Sequence, residues 1–250
     1  IIAENVVDGY QTEKVFFFSA LDVVVTGVMI HPKDDPVEQT DLVLLENGTK
    51  DVPESRDILE SLLNKNHRVF VFDVRGNGAV EARQIVDKAK GIHNAEHKFG
   101  CDAMMLGKST LGLRVFDVLR GYDYLCTRED VKDVGIFGIG SGAFFAYFAA
   151  ALADGFSELT FTDLLYSYRH LAHTRYYNRE VYNFRVMAYG ILQKFDVVDL
   201  LPCLFPRQTL FINPRNAKGE PLTEKEFTDK LLDLAREMGY LKGSWIPVFE

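Results

Sequence analysis

The chain has 250 residues, of which 47% are hydrophobic, and a formal net charge of −8. That length and apolar content suffice for one large core, and we expect a single domain over residues 1–250. The acidic balance argues against a nucleic-acid partner, no apolar run is long enough to span a membrane, and three cysteines at unrelated spacings indicate neither a disulfide framework nor a zinc site.

Strand and helix patterns alternate along the chain and predict an α/β protein with a mostly parallel sheet and helices on both faces. Two β-rich runs come first with no helix between them, which predicts an antiparallel start. The predicted strands are residues 14–19, 23–31, 41–45, 68–73, 134–137, 158–162, 208–213 and 245–249. The predicted helices are residues 55–64, 110–124, an alanine-rich run ending at 153, and 223–238, with a partly helical stretch at 79–108.

The most informative stretch is residues 134–153, in which a β-rich run meets three closely spaced glycines and then an apolar helix pattern. A strand, a sharp glycine turn and a helix in that order are typical of the nucleophile elbow, G-x-S-x-G. Here the five positions read Gly138, Ile139, Gly140, Ser141 and Gly142. The small residues at both flanks fit, because strand and helix pass close together at such a turn. A glycine, however, stands where the nucleophile belongs.

Further motifs support the same fold. A D-x-R-G-x-G run at 73–78 directly follows a predicted strand, and residues 107–117 read GKSTLGLRVFD before the elbow. Together with the antiparallel start, these features resemble the α/β-hydrolase fold and, within it, acetyl xylan esterase-like proteins, which are carbohydrate deacetylases. The elbow GIGSG and the segment NPRNAKG at 213–219 resemble the second, degenerate half of two-part members of that group. The resemblance covers roughly residues 10–240 and implies a secreted or periplasmic setting.

Ester hydrolysis by this fold needs a serine, a histidine and an acid. The nucleophile position is Gly140, and the resemblance places the acid at Asn216, whose amide cannot stabilise an imidazolium charge. The base is expected after the strand predicted at 245–249, where no histidine follows. Asp163, at the end of the strand after the elbow helix, is an alternative acid, although a helix cap is the simpler role for it.

The residue next to the elbow tip is a serine and provides a second possibility. If Ser141 were the nucleophile, Ile139 would crowd the turn, so we expect Ser141 to supply a backbone N–H and to cap the helix. An oxyanion or anion site would combine that N–H with one from Asn47 or Gly48 in the loop 46–49. Such backbone donors can persist without a nucleophile.

The same glycines also satisfy G-x-G-x-x-G/A, as Gly138, Gly140 and Ala143, with Asp163 twenty residues further on. This is a local dinucleotide-binding fingerprint of the Rossmann type. About 130 residues of strand and helix precede it, however, and no further βαβ units follow. We therefore rank this alternative below the hydrolase fold and expect no cofactor.

Residues 164–205 lack a clear strand and are predicted to be a helical insertion that covers the site as a lid. Tyrosines and cations alternate there, which suits a carbohydrate or an acidic partner, although packing between lid and body is the simpler explanation. The His170/His173 pair lacks a carboxylate or cysteine partner, so no metal is expected. The candidate ligand-binding residues are Tyr166, Tyr168, Arg169, His170 and His173.

Two functions therefore remain beside the nucleotide alternative. The first is a hydrolase-fold domain without its triad, which would bind carbohydrate or pack against another domain or subunit of the same protein. The second is an active carboxyl or acetyl esterase that uses Ser141.

Overall fold

The computed structural model describes residues 1, 3–7, 9–33, 37, 39–82 and 94–237. An eight-stranded sheet with strand order β1-β2-β3-β5-β4-β6-β7-β8 forms its centre. Its strands are β1 (Ala3–Val7), β2 (Tyr10–Ala20), β3 (Val23–Pro32), β4 (Gln39–Leu44), β5 (His67–Asp73), β6 (Val134–Ile139), β7 (Phe156–Thr162) and β8 (Gln208–Ile212). Strand β1 pairs antiparallel with β2, β2 with β3, and β3 with β5. From β5 onward the neighbouring strands β5, β4, β6, β7 and β8 pair in parallel. The predicted mixed sheet with an antiparallel start is confirmed, and β1 is an addition to it.

Six α-helices accompany the sheet in the described residues. They are α1 (Arg56–Leu63), α2 (Ala95–Met105), α3 (Thr110–Cys126), α4 (Ser141–Leu152), α5 (Tyr168–His173) and α6 (Glu224–Glu237). The strand predicted at 245–249 lies outside the described residues.

The two faces of the sheet carry separate apolar clusters because alternate residues of a strand point to opposite sides. Phe70 and Phe72 of β5 pack on the side of α3 and α4. Val69 and Val71 of the same strand pack with α1. Helices therefore cover both faces, as the sequence pattern predicts.

The lid segment, residues 164–205, is less helical than predicted. Only α5 and two 3₁₀ helices, Ile191–Gln193 and Val197–Leu204, are regular, and turns and loops make up the rest. Side-chain hydrogen bonds replace the missing helical ones. The buried carboxylate of Asp196 accepts bonds from the Ser167 hydroxyl and from the N–H groups of Tyr168, Arg169 and Val197, so that it joins two of these short helices.

Candidate functional site

The elbow, residues 138–142, lies between the end of β6 and the start of α4. Gly140 has φ 58° and ψ −121°, a sparsely populated conformation that costs a residue with a side chain about 2 kcal/mol. Its N–H donates to the carbonyl of Thr162 on β7 at 3.0 Å. A Cβ at Gly142 would overlap the backbone carbonyl of Leu44 on β4. The glycines therefore allow α4 to begin directly against the sheet, which is the turn that the sequence predicts.

The tip of the elbow is covered by a side chain from another strand end. Glu46, just after β4, places Oε2 2.5 Å and Cδ 3.0 Å from the position that a Cβ of residue 140 would take. Burial raises the pKa of the Glu46 carboxyl, Arg185 counteracts this, and Asp51 and Asp163 raise the pKa further. A carboxylate therefore occupies the space above Gly140 where a nucleophile side chain would project.

Ser141 does not direct its hydroxyl toward this space. Its side chain is buried, and Oγ donates to the backbone carbonyl of Glu46 at 3.1 Å. The predicted helix cap is wrong, because Ser141 is the first helical residue and Gly140, which has no side chain, holds the cap position. The serine hydroxyl instead fastens the loop after β4 to the start of α4.

The loop after β4 is predicted to supply an oxyanion donor, but its N–H groups already donate to acceptors within the protein. The Asn47 N–H donates to Asp51 Oδ2 at 2.8 Å, and the Gly48 N–H donates to the carbonyl of Leu45 at 3.2 Å. The Thr49 N–H donates to the buried carboxylate of Asp73 at 2.6 Å. Because these N–H groups are already hydrogen-bonded, a backbone donor at this site would have to come from the N-terminus of α4.

Arg185 of the lid is a site residue that sequence reasoning did not single out. Its Nη1 donates to the Glu46 carbonyl at 3.1 Å and to Asn47 Oδ1 at 3.3 Å. Its Nε is buried without a hydrogen-bond partner and lies 4.0 Å from the Glu96 carboxylate. The contact spans 139 residues of sequence, and no local pattern marks it. The guanidinium brings a positive charge next to Glu46.

The two candidate acids are engaged elsewhere. Asp163 has φ 61°, and its Oδ1 accepts from Arg215 Nε at 2.9 Å and lies 2.7 Å from Arg215 Nη2. Asn216 closes its own turn, because its Oδ1 accepts from the N–H groups of Lys218 and Glu220 at 2.8 and 3.1 Å. Among the described residues, no histidine hydrogen-bonds to Ser141, Asp163 or Asn216.

The predicted ligand-binding residues of the lid fall into different environments. Tyr168 is buried and its hydroxyl donates to the carbonyl of Val186, whereas Arg169 and His173 are exposed. His170 packs against Tyr166 with ring centroids 5.2 Å apart, and its Nδ1 accepts from the Ala217 N–H at 3.3 Å. Burial lowers the pKa of His170, and nearby Lys230 lowers it further. The lid thus contacts the loop that carries Asn216.

The two sequence motifs before the elbow are connected to each other. Arg75 of the first motif binds Asp117 of the second through Nε at 2.7 Å and Nη2 at 2.5 Å. Arg114 donates to both carboxylate oxygens of Glu96 at 2.7 Å and to the carbonyl of Arg75. These bidentate pairs hold α2, α3 and the loop after β5 together, so the motif residues support the scaffold.

The described residues contain no group of three or more histidine, cysteine, aspartate or glutamate side chains arranged to hold a metal ion. None of their helices is long and apolar enough to cross a membrane.

The strand order, the antiparallel start and the glycine elbow between β6 and α4 define an α/β-hydrolase fold. Solved esterase structures share it. A protein of Bacteroides fragilis NCTC 9343 assigned as an acetyl xylan esterase superimposes with a TM-score of 0.71 at 14% identity, over 85% of this chain and 62% of its own. The acetyl xylan esterase of Paenibacillus sp. R4 superimposes with a TM-score of 0.62 at 16% identity, over 99% of this chain and 81% of its own. Acetyl xylan esterase 1 of Thermoanaerobacterium sp. JW/SL YS485 superimposes with a TM-score of 0.55 at 17% identity, over 83% of this chain and 69% of its own.

At these identities the likeness establishes the fold, and this chain spans less than two thirds of the Bacteroides fragilis protein. No protein-family model and no curated protein matches the sequence. The comparisons do not favour the dinucleotide-binding alternative, because these three structures with the same fold are described as esterases. The Asp163 carboxylate, which would have to bind a ribose, is paired with Arg215.

Proposed function

We propose that this chain is a hydrolase-fold domain without esterase chemistry, which binds a ligand or packs against another domain or subunit. One observation carries the proposal: Gly140 forms the tip of the elbow, and the carboxylate of Glu46 takes the place of the missing side chain. The backbone of a hydrolase site is thereby retained while its reactive oxygen is absent.

The charge of Glu46 also opposes ester hydrolysis at this position. Acyl transfer passes through a tetrahedral intermediate with a developing oxyanion, which hydrolases stabilise with preorganised hydrogen-bond donors. Here the N–H groups of Asn47 and Gly48 already have acceptors within their own loop. An ionised carboxylate above Gly140 would repel a second negative charge, so the site disfavours the transition state that an esterase must stabilise.

The alternative, an esterase that uses Ser141, requires a rearrangement. The Ser141 hydroxyl would have to release the Glu46 carbonyl and find a proton acceptor. Asp163, the alternative acid, would have to exchange Arg215 for a histidine. Both changes cost hydrogen bonds that the fold now makes, which supports the non-catalytic proposal over this one.

Hydrolysis of p-nitrophenyl acetate by the wild type and by Ser141→Ala separates the two functions. We expect no rate above that of buffer for either protein and no labelling by a fluorophosphonate probe. Ser157→Ala is the matched control, because Ser157 Oγ also donates to a backbone carbonyl, that of Val134 at 3.2 Å, but at the opposite end of β6. A rate or a label that Ser141→Ala abolishes and Ser157→Ala keeps would establish an active esterase.

A further inference from the structure

The lid contains a groove that is separate from the elbow. It lies between α5 and the 3₁₀ helix Ile191–Gln193 and has a volume of about 670 Å³. That volume falls within the ~300–1,000 Å³ typical of small-molecule sites. Neither Gly140, Ser141 nor Glu46 lines it, so a ligand here would bind independently of the chemistry at the elbow.

The walls of the groove are apolar and aromatic. Leu171, Ile191 and Leu192 provide aliphatic surface, and the rings of Tyr168 and Tyr177 line it as well. Tyr168 is buried and its hydroxyl already donates to the Val186 carbonyl, so the ring that a ligand can reach is that of the half-buried Tyr177. Tyrosine combines a flat apolar ring with a polar hydroxyl, which suits a ligand that has both C–H faces and hydroxyl groups. Sugar rings have this combination.

The rim adds positive charge. Arg175 lines the groove, and its guanidinium lies over the ring of the exposed Tyr176 at 5.3 Å. The surrounding segment is basic although the whole chain has a net charge of −8. The lid segment, residues 164–205, contains three acids, Glu180, Asp196 and Asp199, and five cations, Arg169, Arg175, Arg179, Arg185 and Lys194.

Most of these cations are available to a ligand. Arg169, Arg175, Arg179 and Lys194 are exposed, and within the described part of the chain none of the four forms an ion pair. Arginine beside a carboxylate forms charge-assisted hydrogen bonds about twice as strong as neutral ones. A neutral sugar would not use this charge.

We propose that the groove binds an acidic carbohydrate, an oligosaccharide that contains uronic acid residues. The ring of Tyr177 contacts the face of a sugar ring, and Arg175 binds a uronate carboxylate at the rim. A nucleic acid fits less well, because the body of the chain is acidic and would repel a long polyanion.

Isothermal titration with a galacturonic acid trisaccharide tests this site, with the fully methyl-esterified trisaccharide as the matched ligand. The ester keeps the ring faces and all the hydroxyl groups but loses the charge. We expect the acid to bind roughly tenfold more tightly than the ester, the difference that a charge-assisted hydrogen bond confers. Raising the salt concentration should reduce that difference.

Arg175→Gln should reduce acid binding to the level of the ester. Arg120→Gln is the control, because Arg120 is also an exposed arginine but lies on α3 and pairs with Asp123. Equal binding of acid and ester, no binding at millimolar concentration, or no effect of Arg175→Gln in a folded protein would overturn the proposal. Equally tight binding of a polyglutamate peptide would also overturn it and would indicate an acidic protein partner. None of these results depends on whether the elbow is inactive.

Discussion

The elbow and the lid groove differ in how the protein uses their polar groups. At the elbow, the Ser141 hydroxyl, the Asn47 N–H and the guanidinium of Arg185 all bind other parts of the chain. At the groove, Arg175 and the half-buried Tyr177 face solvent. At the elbow these groups have partners within the chain, although Arg185 Nε is buried without one, whereas Arg175 and Tyr177 at the groove are accessible to a ligand. This difference is the basis of our proposals that the elbow is non-catalytic and that the lid groove binds a ligand.

The comparison predicts that changes in the elbow backbone have the largest effect on stability. Gly142→Ala places a Cβ against the backbone carbonyl of Leu44. The overlap is between α4 and the backbone of β4, so no side-chain rotation can remove it. We expect a loss of about 3 kcal/mol in the free energy of unfolding, the upper end of typical overpacking costs, measured by urea denaturation. Gly107→Ala is the control, because Gly107 has φ 66° but no atom near the new Cβ, so only strain of about 1–2 kcal/mol applies. A smaller loss for Gly142→Ala than for Gly107→Ala would contradict the close contact between α4 and β4.

An intermediate effect on the free energy of unfolding is expected at Gly140, the tip of the elbow. Gly140→Ser should cost about 2 kcal/mol for the sparsely populated backbone conformation, plus the displacement of Glu46. In a Glu46→Ala background the displacement no longer contributes, so the same substitution should cost less. Urea denaturation of the four proteins of this cycle measures the coupling. Additive costs would mean that Glu46 does not occupy the space above the tip. Neither serine variant should hydrolyse p-nitrophenyl acetate, because no histidine of the described residues hydrogen-bonds to Ser141 or to the candidate acid Asp163.

The smallest effect is expected where the lid contacts the loop of Asn216. The His170 ring accepts from the Ala217 N–H while neutral, and its pKa is lowered from the ordinary value of about 6.5. This contribution to stability is present above that value and is lost as the pH falls through the lower pKa of the folded state. The Tm of the wild type should therefore fall more between pH 7.5 and pH 5 than that of His170→Gln. His173→Gln, at an exposed position, should follow the wild type, and identical pH profiles for all three proteins would refute the contact.

Much of the fold was predictable because it follows local patterns. A continuous apolar run marks β5, β-rich runs mark the early strands, and the glycines at 138, 140 and 142 mark the turn into α4. The lid was less predictable because side-chain hydrogen bonds to Asp196, rather than a helical repeat, organise its short helices. The short edge strand β1 was missed. That the chain forms one domain remains a prediction.

For the site, the sequence established that the tip of a nucleophile elbow has no side chain, since a glycine between a strand and a helix is evident from the order of residues alone. It could not show that Glu46 fills the space, that Arg185 reaches the loop after β4, or that Arg175 stands at the rim of a groove. Those arrangements depend on which segments the sheet brings together, and Arg185 meets the Glu46 carbonyl across 139 residues. Local periodicity determines strands, helices and turns, whereas contacts over such separations arise only when the folded chain brings distant side chains within hydrogen-bond distance.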